Sequence, residues 1–338
     1  MRQNEVLIDT DFHRYADDHE ALAMLATLHK RGELRLAGMT TVTGNTWARI
    51  SAEHARTAVA SIGLDDLSIY EGSGRPLLHR QSDFAHRSRL FGAAFGGAWG
   101  NADLLEKRPK REPTGRSGEK IHAVEFIVRT LRESPVAMTI LSIGPLTNFA
   151  QAIRLAPDIA QNIARFVVMG GAFYVPGNVT PSAEFNWWFD PEAATIVLEE
   201  DVPVEVVPLD ATDTIVLDSE RFSRWRDEYA KHALFRSFHE PKFAEIFVRK
   251  PEYTLPVWDA IAAAYLVKPE IARKSAELWV SVDCSHGPSY GRVVAIKDPD
   301  AFNLEQPKRP RAKVVMDIDA TSFWSIYESL VFSDENAN

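Results

Sequence analysis

The chain has 338 residues, 45% of them hydrophobic and 25% charged, with a formal net charge of -9. That composition belongs to a globular protein with a large core, and its acidic balance argues against a general nucleic-acid or anionic-membrane surface. No apolar run reaches the ~20 residues of a membrane span. No charged-then-apolar leader is visible before the first strand. The single cysteine, Cys284, excludes a disulfide framework and points to a reducing cytoplasm. It falls in a strand-like run, Leu278 to Asp283 and onward, and reads as a packing residue.

Val6-Leu7-Ile8 reads as a buried strand running into Asp9-Thr10-Asp11 and then Asp17-Asp18. Taken alone, Asp9 and Asp11 are turn residues and Asp17 is a helix cap. Four carboxylates at one corner are costly, because like charges repel and desolvation penalises each of them. A hard cation with oxygen ligands, Ca²⁺ or Mg²⁺, removes that cost. Helical spacing follows from Ala21 to Leu28 and stops at Gly32. A strand is expected over Leu34 to Val42, then the turn Thr43-Gly44-Asn45, a helix through Ala60, and a strand over Leu67 to Tyr70. Residues 76–118 break this rhythm and read as a lid; the basic run Lys107 to Arg111 reads as solvated surface. Alternation resumes with a helix near Ala123 to Arg132 and a strand over Val136 to Leu141. The turn Ile143-Gly144-Pro145 opens a helix near Leu146, and the strand Phe166 to Val168 ends at Met169-Gly170-Gly171. A helix after Pro191 and a strand over Val204 to Val207 come next, then a helical, aromatic-rich second lid over 219–250. Trp258-Asp259 opens an apolar helix stopped near Pro269, and 276–330 reads as a strand pair and a closing helix. Strands alternating with helices predict an α/β fold, an open, mostly parallel sheet flanked by helices with a Rossmann-like core. With no internal repeat and no linker, one domain over 1–338 is expected.

Further clusters fall at the ends of expected strands. Asn178, Glu184 and Asn186 offer donors and acceptors suited to sugar hydroxyls, with Phe185, Trp187 and Trp188 as aromatic walls. Asp259 sits at a helix start, where a carboxylate is favourable by itself. Met169-Gly170-Gly171 allows close backbone approach.

Taken in order, these residues resemble the inosine–uridine-preferring nucleoside hydrolase family over nearly the whole chain. The first acids resemble that family's acidic motif in its longer variant. Thr40-Thr41-Val42-Thr43-Gly44-Asn45, Ile143-Gly144-Pro145-Leu146-Thr147-Asn148, Val168 to Gly171, Gly177 to Asn186 and Ser289-Tyr290-Gly291-Arg292 are similar to its further segments. The resemblance implies a ribonucleoside N-ribohydrolase (an N-glycosidase of nucleoside salvage) that holds Ca²⁺ on Asp11, Asp18, Asp259 and the backbone carbonyl of Ile143. It implies Asp11 as general base toward the attacking water. Asp17, Asn178, Glu184 and Asn186, with Asn45 in support, would grip the ribose, and Met169 would line its underside. Trp258 stands where some members carry a histidine acid, and would activate the leaving base by stacking. It also implies a homo-oligomer, dimer or tetramer.

Phe12-His13-Arg14-Tyr15 fills the acidic motif without its usual glycine, and Phe91-Gly92 replaces a His-Gly pair. An aromatic residue cannot protonate the leaving base, so His13, His86 or His239, each expected in a loop, could serve as the acid. Trp187, Trp188 and Trp258 near the mouth favour a purine. Two alternatives remain at this point. One is an altered family member that binds or cleaves another pentoside. The other is a DxD metal-dependent phosphatase, which predicts Thr or Val where Phe12 stands.

Overall fold

The structure, a computed structural model, describes residues 4–14, 16–93, 95–100, 121–298, 300 and 310–336. Tyr15 and residues 101–118 of the first expected lid, with the run Lys107 to Arg111, lie outside the described residues.

Strand β1 (Asn4–Thr10) leads to helix α1 (Asp18–Lys30), β2 (Leu34–Thr41), α2 (Ala48–Ser61) and β3 (Ile69–Glu71). Next come α3 (Gln81–Phe91), α4 (Gly97–Gly100), α5 (Ala123–Glu133), β4 (Met138–Ser142), α6 (Thr147–Leu155) and β5 (Ile163–Met169). They are followed by α7 (Phe185–Phe189), α8 (Pro191–Glu199), β6 (Val204–Val207), α9 (Leu209–Thr212), β7 (Val216–Leu217) and α10 (Ser219–Tyr229). The chain continues through α11 (Glu240–Arg249), β8 (Leu255–Pro256), α12 (Trp258–Val267), β9 (Ala272–Val282), β10 (Val293–Ile296), β11 (Ala312–Ile318) and α13 (Ala320–Val331).

Among the described residues, nine strands form one sheet in the order β10-β9-β11-β6-β5-β4-β1-β2-β3. From β3 across to β11 every pairing is parallel; only β9 runs antiparallel, to β10 and β11. The sheet is thus mostly parallel and helix-flanked, as the alternating pattern predicts. The chain lays β2 and β3 on one side of β1, then returns to place β4 on the other. That reversal opens a crevice outside the carboxyl ends of β1 and β4, where open α/β sheets bind ligands.

Burial on both faces follows from the strand period of two. Val6 and Ile8 join the core beneath α1, α2, α12 and α13, while Leu7 joins the core beneath α5, α6 and α8. A third, aromatic cluster holds Phe84 of α3 and Trp99 of α4 against Phe185, Trp188 and Phe189. It ties the described part of the first expected lid to the crevice wall.

Local turns move some strand starts. The Ser134 hydroxyl donates to the Val136 carbonyl at 2.7 Å, so the strand expected from Val136 starts at Met138. Leu67 closes a turn on the Leu64 carbonyl, so the strand expected from Leu67 starts at Ile69. The expected C-terminal strand pair is three strands, with β9 paired to both β10 and β11. The two-residue ladder β7–β8 is too short to leave a periodic trace. Residues 219–250 are helical, with a π-helical turn over Phe235–His239 between α10 and α11. Their aromatics face the core: Trp225 stacks on Tyr327 of α13 at 5.1 Å between ring centroids.

Candidate active site

A cavity of about 480 Å³ opens at this crevice. Ten of the residues expected from sequence line it: Asp17, Asn45, Ile143, Met169, Asn178, Glu184, Phe185, Asn186, Trp258 and Asp259. Asp11 and Asp18 are almost wholly inaccessible beside it. Asp11 follows β1 and Ile143 follows β4, the two strands that flank the reversal.

The motifs around the crevice are explained by the hydrogen bonds they make. Asp9 Oδ1 accepts from the Thr40 hydroxyl at 2.6 Å and from Asn148 Nδ2 at 2.8 Å. Asn148 also donates to the Thr41 carbonyl and accepts from the Ser73 amide. This web fastens β2 and α6 to the end of β1, and so fixes the backbone that carries Asp11. Asp11 Oδ2 accepts from the Asn45 amide at 2.6 Å. A methyl group on Gly44 would overlap that same carboxylate, which is why glycine stands there.

Asp17, Asp18 and Asp259 bring carboxylate oxygens within 4.8 Å of one another. Asp17, expected on the ribose, thus also belongs to the acidic group, and its Oδ2 accepts from the Asp259 amide at 2.9 Å. The Thr10 hydroxyl donates to Asp18 Oδ1. Asp11 Oδ1 and Asp18 Oδ2 are buried with no hydrogen-bond partner among the described residues. Burial pushes the Asp18 carboxyl up to about 7, with Asp17 adding repulsion. Asp11 and Asp259 are raised well above the usual range, first by burial and then by neighbouring carboxylates. Orphaned carboxylate oxygens in an all-oxygen group are what a hard cation satisfies.

The opposite wall is built by the Gly177 to Asn186 segment. Glu184 caps α7, accepting from the amides of Asn186 at 2.8 Å and Trp187 at 3.1 Å, and from the Gly171 amide at 2.9 Å. Burial raises its carboxyl to about 7 against those bonds. Asn178 Oδ1 accepts from the Phe185 amide at 2.9 Å. Asn186 Nδ2 donates to the Met169 carbonyl at 3.2 Å and to the Ile143 carbonyl at 3.4 Å.

The aromatic mouth differs from expectation. Trp187 is wholly buried, pressed against Gly170, and Trp188 lies in the aromatic cluster, so neither lines the cavity. The five-residue helix α7 turns Phe185 to the cavity and Trp187 into the core. The walls are Phe185, Trp258 and Phe95, whose ring meets Phe185 at 5.2 Å. The Trp258 indole N–H donates to Asp213 Oδ1 at 2.7 Å, an anchor that no sequence pattern signals. Phe95, Val179, Ala16 and His13 also line the cavity.

Of the three histidines considered as acids, only His13 reaches the cavity. His86 is exposed on helix α3 rather than in a loop. His239 lies in the π-helical turn, fully buried and 2.9 Å from the Tyr327 hydroxyl, because its neighbours are core aromatics. Burial, with help from His54 and Lys242, lowers His13 to about 4. It is a neutral imidazole at pH 7. Among the described residues of the inserted segment, Phe12 is packed in the core, and the Ala16 amide closes a turn on the His13 carbonyl at 3.1 Å.

An open α/β sheet with an acidic crevice at its reversal point defines a ligand-binding enzyme fold. The sequence model of the inosine-uridine preferring nucleoside hydrolases matches residues 6–325, and the chain belongs to that family of N-ribohydrolases. It is 32% identical over 336 residues to the pyrimidine-specific ribonucleoside hydrolase RihB of Escherichia coli O157:H7 (strain EC4115 / EHEC), covering 98% of each chain. The Shigella sonnei protein of the same name is also 32% identical, over 337 residues. Among solved structures, a plant nucleoside hydrolase, the PpNRh1 enzyme, superposes with TM-score 0.77 at 24% identity, over 98% of this chain and 99% of the other. A purine-preferring ribonucleoside hydrolase from Gardnerella vaginalis gives 0.75 at 22%, over 99% and 100%. Family membership displaces the phosphatase alternative.

Proposed function

We propose that this chain is a Ca²⁺-dependent ribonucleoside N-ribohydrolase that releases ribose and a free base. One juxtaposition carries the reading: at a single crevice, Asp17 and Asp259, backed by the buried Asp11 and Asp18, face the polar wall of Asn178, Glu184 and Asn186. The orphaned oxygens of Asp11 and Asp18 fit a bound cation. Asp11, Asp18, Asp259 and the Ile143 carbonyl would hold it. When bound, Ca²⁺ supplies charge neutralisation and lowers the pKa of an attacking water.

The chain's own groups do the rest. Asp11 takes the water's proton while the Asn45 amide keeps its carboxylate oriented through Oδ2. Asp17, Asn178, Glu184 and Asn186, supported by Asn45, position the ribose hydroxyls, and Met169 lies under the sugar. Positive charge developing on the ribose during C–N cleavage is stabilised by the surrounding carboxylates. Trp258, held by Asp213, and Phe185 stack the departing base. His13 offers the base one neutral N–H.

The purine expectation drew on three tryptophans, of which only Trp258 lines the cavity. Relatives named pyrimidine-specific at 32% identity over 98% of the chain support pyrimidine ribonucleosides first. Trp258 favours the second reading, a purine. A cytoplasmic location and assembly as dimer or tetramer accompany this function; the lone Cys284 supports the former. The test is ribose release from uridine, cytidine, inosine, adenosine, guanosine and p-nitrophenyl riboside, with and without a chelator. Chelator-sensitive release with uridine or cytidine ahead is expected. Purines ahead would overturn the base assignment, and no release from any of them would overturn the activity.

A further inference from the structure

Three aromatic rings, Phe95, Phe185 and Trp258, line the catalytic cavity together with three carboxylates, Asp17, Glu184 and Asp259. No Lys or Arg stands among its described lining residues. Asp11 and Asp18 lie buried beside it, so the site gathers more carboxylates than one divalent cation offsets. Lys242 acts on both Asp17 and His13, but its ammonium stands 4.0 Å from Glu20, which counters its charge. The Trp258 ring is itself polarised. Its one N–H donates to Asp213 Oδ1 at 2.7 Å, so the indole offers the cavity carbon surface alone. A carboxylate on that N–H enriches the ring in electrons, and indole is the side-chain ring that holds a cation best.

Departure of the base meets the same field. Uracil takes the electron pair of the C–N bond with it and so brings negative charge among carboxylates. His13, the one histidine of the described lining, is lowered to about 4 by burial, with His54 and Lys242 adding to it, so at pH 7 it offers a hydrogen bond and no proton. A base whose glycosidic nitrogen is already cationic avoids both costs, because it leaves neutral.

Given the N-ribohydrolase reading, on which this rests, we propose that the cavity takes pyridinium ribosides, with Asp213 as the positioning residue that suits Trp258 to their charge. The cationic ring stacks between Trp258 and Phe185. The C1′–N bond breaks with its electron pair going to nitrogen, which turns the pyridinium into a neutral pyridine. The water's oxygen bonds C1′ and its proton passes to Asp11. The substrate's single positive charge moves from the ring to the ribose, so it stays within the acidic field until the water adds.

The test is ribose release by the calcium-loaded enzyme from nicotinamide riboside, uridine and p-nitrophenyl riboside, in wild type and in Asp213→Asn. Asparagine keeps an oxygen for the indole N–H and removes the charge. Wild type should cleave nicotinamide riboside with kcat/KM at least about tenfold above uridine. Asp213→Asn should lower that value about tenfold while costing the two neutral substrates about threefold or less. Uridine cleaved as fast as or faster than nicotinamide riboside would overturn this inference and leave the hydrolase reading standing. Equal losses on all three substrates would also overturn it, since Asp213 would then only prop the ring. No ribose from any of the three would remove the hydrolase reading and this inference with it.

Discussion

Asp259→Asn should stabilise the metal-free protein while abolishing its response to calcium. The carboxylates of Asp17, Asp18 and Asp259 approach within 4.8 Å. At that distance each ionised pair costs about 3.5 kcal/mol at an effective dielectric of about 20. Asparagine at 259 removes two such pairs and keeps the shape and the backbone amide that Asp17 accepts from. Protonation already relieves part of this repulsion, since burial raises Asp18 to about 7. The net gain at pH 8 is therefore about 1–3 kcal/mol. On the order of 2 °C per kcal/mol, that is a rise of a few degrees in the Tm of the chelated protein. Wild type should gain about 4 kcal/mol from calcium at a thousandfold excess over Kd, and the variant little. Thermal scans of both proteins with EDTA and with calcium measure all four states. A variant less stable than wild type in EDTA, with its calcium shift retained, would refute the reasoning.

Gly44→Ala should lower kcat at least about tenfold at modest cost in stability, because the new methyl overlaps the Asp11 carboxylate; unchanged steady-state kinetics would count against Asp11 as base. Trp258→Ala should slow natural nucleosides more than p-nitrophenyl riboside, and equal losses in kcat on both would remove the stacking role. Asp190 is fully buried, and burial raises its carboxyl to about 7 from 3.8. A folded pKa above the unfolded one means its contribution is full below about pH 4 and lost as pH rises through 7. Denaturant unfolding across that range should show stability falling by up to about 4 kcal/mol from this group. Asp190→Asn should reduce the slope by up to one proton, and an unchanged slope would contradict the assignment.

How far the sequence carried depended on whether a residue's place follows from a strand end. Asp11, Asn45, Ile143 and Met169 sit at or just after β1, β2, β4 and β5, so reading the strands located them. Asp259, far away in sequence, was legible only through the resemblance. The run Phe185 to Phe189 was misread at Trp187 and Trp188, since four aromatics in five residues give no period to show which face the cavity. Asp213 on Trp258, Phe95 on Phe185, and His13 at the cleft depend on where loops fold back. The aromatics of 219–250 suggested a lid; they are core because α13, some 90 residues on, covers them. Contacts between segments so far apart leave no local trace.

The most direct measurement is a calcium titration of the metal-free enzyme, followed by calorimetry and by uridine hydrolysis in the same samples. The account predicts one ion per chain, with turnover recovering in step with its binding and both lost in Asp11→Ala, which stays folded. Turnover that survives exhaustive chelation, or an Asp11→Ala enzyme that remains active, would contradict it.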